Sequence, residues 1–482
     1  MRLSHAVAVL PFTVWSGVAL AEPATVDGAA AITAALQTYL GASEGVVTVA
    51  PEGESYGVKL DFAPLLSKVP EKDFESSVTP IIFQLVDQGD GTWKMTQDQA
   101  FNLMIKMPGA AEISLAAANV KSDGVFDLAL QAFTSSSSTI TDMSLAEKIA
   151  DPSAGDVDVK YHIDSMVFDS TAVAGANGGV DGTSNTLVTG LKEEFSLPPM
   201  GEGAPPTNIV ANVQSYAAKS TVAGYRPDAI YKLVAYFVAH PDEAAITGSQ
   251  DELKALISAG LPLFENMKSD GTLTGLSVET PMGVFAAATG GVQIDINGLV
   301  ADGLFREAFT LDGFTIPAGL APEWATDLVP TKLAMDFKVS RFNLLAPVKL
   351  LVATMDLTKT PPMAPEQDQA MLAALLPDGV VDVTLAPGGL SAPAYDLAYE
   401  GSMTAGPMGA PSGKARLTLA GIDKVQAALN AAPDDQKSQI LPMLGMAQGM
   451  AKPGENGALV WELEMTHDGA MMVNGMNMGG GQ

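Results

Sequence analysis

Cysteine is absent from the 482 residues. That removes disulfide staples, thiol nucleophiles, cysteine metal sites and lipid attachment at an amino-terminal cysteine. Stability has to come from packing. Basic residues are scarce: 26 Lys and Arg stand against 55 Asp and Glu, a formal charge of −29. Such a chain repels phosphate backbones and anionic headgroups, which only clustered cations hold, so nucleic acid is a poor partner. There is also no Gly-x-Ser-x-Gly elbow, phosphate-binding glycine loop or His-Glu-x-x-His helix, and hydrolase, nucleotide and zinc-protease readings lose their usual support. The sequence singles out no catalytic residue, cofactor or metal.

Long hydrophobic runs are missing after the first 21 residues. Residues 1–21 pair a basic start (Arg2, His5) with an apolar stretch over 6–20 and the small-residue end Ala19-Leu20-Ala21 before Glu22-Pro23, the pattern of a secretory signal peptide cleaved after Ala21. Pro11 interrupts a stretch already short of the roughly 20 apolar residues that cross a bilayer. The expected location is the periplasm of a Gram-negative cell, with secretion as the alternative and no transmembrane segment after cleavage. A membrane β-barrel is disfavoured, because the strand-like runs lack interfacial aromatic girdles and the chain ends in Gly479-Gly480-Gly481-Gln482.

What is present is apolar content, 47% of residues against 17% charged, enough to build a core rather than a disordered chain. Apolar and polar residues alternate through much of it, the signature of half-buried strands. The spacing predicts a strand pair at 46–49 and 56–62. A hairpin is expected at 81–86 and 92–95 around Asp87-Gln88-Gly89-Asp90-Gly91. Further strands are expected at 112–116, 124–130, 157–168 and 208–222, making the first half a meander. The Pro- and Gly-rich stretch 196–206 reads as a linker or long loop. Beyond it, strands are predicted at 309–316, 332–345, 348–357, 380–385, 395–402 and 414–419, and Thr360-Pro361-Pro362-Met363-Ala364-Pro365 is expected to part a strand from a helix.

An order of elements recurs. Helical runs at 226–240 and 250–268 lead to strands ending at Asn297-Gly298, and helical runs at 422–432 and 433–450 lead to strands at 458–466 and 470–476 with Asn474-Gly475. An internal duplication would produce this recurrence. The predicted class is α+β and strand-rich: large curved, mostly antiparallel sheet with helix pairs packed on one face. Its organisation is a signal peptide at 1–21, a strand-rich region at 22–200, and a second at 201–482 holding two helix-pair-plus-strands units, about 226–299 and 421–476.

The chemistry candidates have ordinary readings beside them. His162 sits on the polar side of an alternating run, His240 ends a helix where a cationic imidazole meets the negative dipole end, and His467 precedes an Asp468-Gly469 turn. Asp87 with Asp90, and Asp181 within Gly178-Gly179-Val180-Asp181-Gly182, offer oxygens to calcium but suit turns better. Met443, Met446 and Met450 share a helical face, followed by Met465, Met471, Met472, Met476 and Met478. Thioethers at that density suit Cu(I), while helical spacing predicts an inward, core-filling stripe. Trp93, Trp324 and Trp461 lie in or beside strand-like runs and are expected to pack a sheet.

The signal-peptide pattern, the missing cysteine, the strand-rich middle and the Asp468-Gly469…Val473-Asn474-Gly475 ending stand beside Trp324-Ala325-Thr326-Asp327-Leu328-Val329-Pro330 and Leu333-Ala334-Met335-Asp336-Phe337-Lys338-Val339. Together they resemble the uncharacterised periplasmic proteins of proteobacteria grouped as a domain of unknown function. The resemblance implies an envelope location and brings no catalytic residues with it. The expected role is non-enzymatic: binding a lipid or other apolar envelope component, or an envelope protein, through a sheet face. The alternatives are an assembly scaffold acting by strand-edge pairing and an enzyme that uses paired carboxylates on a periplasmic polymer.

Overall fold

The computed structural model describes residues 23–67, 74–107, 109, 111–150, 157–198, 207–363, 367–407 and 409–479. The signal-peptide segment and most of the 196–206 stretch lie outside them. The strand-rich α+β class is what the structure shows, with 21 strands in antiparallel sheet. The chain divides into two compact units. One holds the residues up to Asn208 with Lys219–Glu265 and Val352–Met363; the other holds Ile209–Ala218, Asn266–Leu351 and the residues from Ala364 onward.

The first unit opens with helix α1 (Val26–Leu40), absent from the expected meander. The Thr25 side chain accepts the Gly28 N–H at 3.0 Å, Asp27 sits in the first turn, and Gly41 ends the helix at φ +79°. Ala29, Ile32 and Leu36 share one face and pack on β1 (Val47–Glu52) and β2 (Ser55–Leu60), an antiparallel pair as predicted. A short helix α2 (Ala63–Leu66) leads to β3 (Glu75–Val78), β4 (Ile81–Asp87) and β5 (Thr92–Met107). The β4–β5 hairpin turns where Asp-Gly predicts, with Gly89 at φ +78° and Gly91 at φ +89°. Phe83 and Leu85 of β4 and Trp93 of β5 complete the core with Phe126, which is 1% exposed.

Long strands follow: β6 (Ala111–Asp127), β7 (Ala132–Ile149), β8 (Val157–Ala174), β9 (Val180–Leu197) and β10 (Thr207–Tyr225). The expected strands at 112–116 and 124–130 are one, β6. Helices α3 (Pro227–Ala239), α4 (Glu243–Gly248) and α5 (Gln250–Gly260) come next. The helix expected over 250–268 stops at Gly260 because Pro262 cannot extend it, and extended backbone resumes at Asn266.

One irregularity runs straight across β6 to β9. Ala117 faces Met143 and Asn119 faces Thr141, skipping Ala118 and Asp142. Met143 faces Ile163 and Thr141 faces Ser165, skipping Asp142 and Asp164. His162 faces Lys192 and Ser165 faces Thr189, and there Gly190 sits at φ +64° under the Asp164 carboxylate. Asp142 is also left-handed, at φ +50°. Apolar positions accordingly change parity: Val159, Tyr161 and Ile163 before the line in β8, Met166 and Phe168 after it. A three-residue step would land on the other face of a pleated strand. Spending one residue in an aligned bulge keeps all of them on the same face.

The second unit carries β11 (Asn266–Thr280), β12 (Gly283–Asn297), β13 (Gly303–Asp312), β14 (Lys332–Phe342), β15 (Val381–Ala392), β16 (Tyr395–Gly406) and β17 (Gly409–Ala420), each antiparallel to the next. Between β14 and β15 the strand expected at 348–357 is instead helix α6 (Leu345–Thr354), started by the Asn343 side chain accepting the Ala346 N–H at 2.8 Å. The Pro-rich break after it therefore parts α6 from α7 (Asp368–Leu375), helix from helix. Helices α8 (Ile422–Asn430) and α9 (Asp434–Met450) precede β18 (Lys452–Pro453), β19 (Leu459–Met465), β20 (Met471–Val473) and β21 (Met476–Asn477). Asn474 at φ +50° and Gly475 at φ +85° make the β20–β21 turn inside the stretch read as a single strand.

Candidate functional site

Cross-strand register turns the long strands of the first unit into rows. Leu103, Leu115, Leu145, Tyr161 and Glu193 stand side by side on β5 to β9, and Ile105, Ile113, Glu147, Val159 and Phe195 form the row beside it. Directly opposed residues share a face. Across the bulge line the face continues through Val120, Ile140, Met166 and Val188. Of these side chains only Val159 and Val188 are buried, at 8% exposure each. The remaining leucines and isoleucines are only partly buried, so a fraction of the roughly 1.5–3 kcal/mol that each would gain from full burial is unrealised.

Tyr161 is the polar point of this face. Its hydroxyl donates to the Glu193 carboxylate, and with burial and the charges of Glu193 and Glu147 the phenol is pushed up to about 12. A phenol near 10 when unfolded and about 12 when folded favours the neutral, folded form. The stability it adds is full below pH 10 and fades as pH rises through 12. Burial also raises Tyr225, Tyr231, Tyr395 and Tyr399, so ultraviolet titration of phenolate should show several tyrosines ionising late, and Tyr161→Phe should reduce the late amplitude by one phenol and flatten stability over the same alkaline window. An unaltered titration in the variant would show that the Tyr161–Glu193 bond does not form.

The opposite face is polar and holds two shallow clefts. One, about 400 Å³, is bounded by Asn102, Met104, Ser144, Lys160, His162, Lys192 and Glu194 together with Ala116, Ala146 and the strand segments that carry Leu103, Leu115, Leu145 and Tyr161. His162 Nε2 is 3.2 Å from Asp164 Oδ1 and its Nδ1 is 3.8 Å from Asp142 Oδ1, so the imidazole bridges the two bulge carboxylates on the polar side. Lys192 Nζ lies 2.5 Å from Glu194 Oε1 and holds that carboxyl below its usual range. The other cleft, about 420 Å³, is walled by Ser135, Ser136, Ser137, Asp169, Ser170, Thr171, Thr183 and Asn185. Thr171 and Thr183 bond across it at 2.9 Å, while the Ser136–Ser170 bond of 2.7 Å lies on the other face, in line with Ile140 and Met166.

The second unit repeats the division of faces. Met267, Ile296, Phe305, Val339, Val383, Met403, Gly413, Met465 and Met471 form one continuous row from β11 to β20. Met267, Phe305 and Met471 are exposed. The polar face carries paired charges. Arg306 grips Asp336 through Nε and Nη2 at 2.7–3.1 Å, and Lys268 lies 3.1 Å from Asp295. A wider cleft of about 850 Å³ on this face is lined by Glu400, Lys414, Arg416, Glu462 and Glu464. Lys452 approaches Glu462 to 2.6 Å and lowers its carboxyl.

The other singled-out residues are placed individually. His240 caps α3, its Nδ1 2.8 Å from the Tyr236 carbonyl and its ring stacked on Tyr236. Asp87 accepts the Gly89 N–H, Asp90 accepts Thr92, and Asp181 accepts the Gly224 N–H at 2.8 Å, so these carboxylates close turns and tie strand ends. Thr466 bonds Asp468 in the turn that contains His467. Trp93 is a core residue, Trp461 donates its indole N–H to the Ala447 carbonyl of α9 at 2.9 Å, and Trp324 lies half-buried in a short 3₁₀ turn, Glu323–Leu328. The core-filling reading of the α9 methionines fails: Met443 is 71% and Met446 65% exposed, because Ala447 and Gln448 are the residues facing Trp461 and α8.

Among the described residues no group of three or more His, Asp or Glu is arranged to hold a metal ion, and no helix is long and apolar enough to cross a membrane. Comparison with protein-family models, with curated proteins and with solved structures finds no match.

Proposed function

We propose that this is an exported, periplasmic binding protein, not an enzyme, and that it holds the acyl chains of an envelope lipid against its apolar sheet faces. One observation carries the reading. In each unit apolar rows run across many strands without being fully buried, set in the first unit with Glu147, Tyr161 and Glu193, while the reverse face has paired charges or bonded hydroxyls. Extended apolar surface of this kind on a folded chain marks an interaction site. Acyl chains match it because they need no directional partner, and the leucine, isoleucine, valine and methionine side chains that make up most of the rows offer none. The amino-terminal pattern supports export.

Native mass spectrometry of protein released by mild extraction should show co-purified lipid, and delipidated protein should take up a fluorescent fatty acid saturably. Protein that emerges uniformly empty and takes up no probe would sink the proposal.

A further inference from the structure

We propose that the β19–β21 end of the second unit binds a soft monovalent metal ion, Cu(I), through the thioethers of Met465, Met471 and Met478. Met465 and Met471 are direct cross-strand partners. Met472 faces Asn477 and the Met478 N–H donates to the Met471 carbonyl at 2.8 Å, which sets Met478 opposite Met471. Three adjacent strands, about 4.8 Å apart, thus present three methionines abreast on one face. Each side chain has three rotatable bonds, so the sulfurs can converge on one ion. On the inner flank β17 contributes only Gly413, and beyond it stands Met403 of the same row.

Packing does not account for these residues. Met471 is 46% and Met478 47% exposed. A terminal hairpin is ordinarily guarded by charge, but Met471-Met472-Val473-Asn474-Gly475-Met476-Asn477-Met478 has none. The backbone beneath is held firmly: Asn474 donates to the Met450 and Val460 carbonyls at 2.6 and 3.1 Å and accepts the Glu462 N–H at 2.9 Å. With no cysteine in the chain, thioether is the softest donor available, and soft donors select Cu(I) over the harder divalent ions.

The test uses the full chain without added metal. Anaerobic titration with Cu(I) against a chromophoric chelator should show one ion withdrawn per chain, and native mass spectrometry should show one Ag(I), a redox-inert substitute, retained. The triple change Met465→Leu, Met471→Leu and Met478→Leu keeps apolar volume and should preserve the circular dichroism. It should weaken Cu(I) binding by roughly 100-fold or more, since loss of an outer-shell partner alone costs about 10–100-fold. Met443→Leu with Met446→Leu on α9 should leave binding unchanged. No ion taken from the chelator, or equal binding by the triple variant, overturns the proposal, as does loss of binding in the α9 pair alone. Lipid binding is read separately and does not enter this result.

Discussion

Aspartate at both Leu115 and Leu145 should abolish fatty-acid uptake while leaving the protein folded. The two leucines are direct cross-strand neighbours near the middle of the first unit's apolar face, and both are half-buried. Two directly opposed carboxylates there repel each other, a cost of roughly 0.2–1 kcal/mol that a folded domain of about 5–15 kcal/mol tolerates. An acyl chain laid over them would have to strip that water and would forfeit the apolar contact of two leucines, about 1.5–3 kcal/mol each when complete. At 1.4 kcal/mol per tenfold, the expected loss is about 100-fold or more in affinity. Ser144→Asp is the control. Ser144 adjoins Leu145 in sequence but points to the polar face, beside His162, and uptake should be unchanged. Equal loss in both variants would show that general charge, not the apolar rows, governs uptake; no loss in the double variant would remove the rows from the site.

The largest stability effect is expected at Phe126→Ala. Phe126 is 1% exposed, meets the Phe133 ring edge-on at 5.2 Å and closes the core beneath α1. Truncation there should cost about 3–5 kcal/mol, a large share of the 5–15 kcal/mol typical of a folded domain. Phe305→Ala removes the same group from the second unit's row at 39% exposure and should cost about 1–2 kcal/mol, since part of its transfer energy is never gained and no closed cavity is left. Urea unfolding of the two variants measures the difference. Similar costs would mean that the row is covered in solution and unavailable to a ligand.

The sequence reading succeeded where local signals agreed with tertiary ones. Asp-Gly at the β4–β5 turn, Asn-Gly at Asn474-Gly475 and the openings of α3, α8 and α9 each rest on a few neighbouring residues. Helix α1 is legible as well, through the Thr25 cap and its alanine-rich body. The strand β7 hid behind Ser135-Ser136-Ser137-Ser138, whose polarity resembles a loop until its hydroxyls are seen bonding across strands. Helix α6 was misread because Val348, Val352 and flanking leucines satisfy either period; the Asn343 cap decides it. Which residues stand abreast was not readable, since register over strands of 16–19 residues depends on pairings distant in sequence. The bulge line was invisible for the same reason: a change in the parity of apolar residues within one strand looks like the end of alternation, and only its repetition in four neighbours shows otherwise.

That line makes the first unit unusually sensitive to length. Losing a single codon at Asp142 or Gly190 would restore plain pleating there, and every side chain beyond would swap faces: Ile140 or Val188 would turn to the wet side and Thr139 or Leu187 inward. Losing the matching residue from all four strands would repair the register while inverting half of the surface. Such a gene tolerates substitution along these strands far more readily than any odd-numbered insertion or deletion.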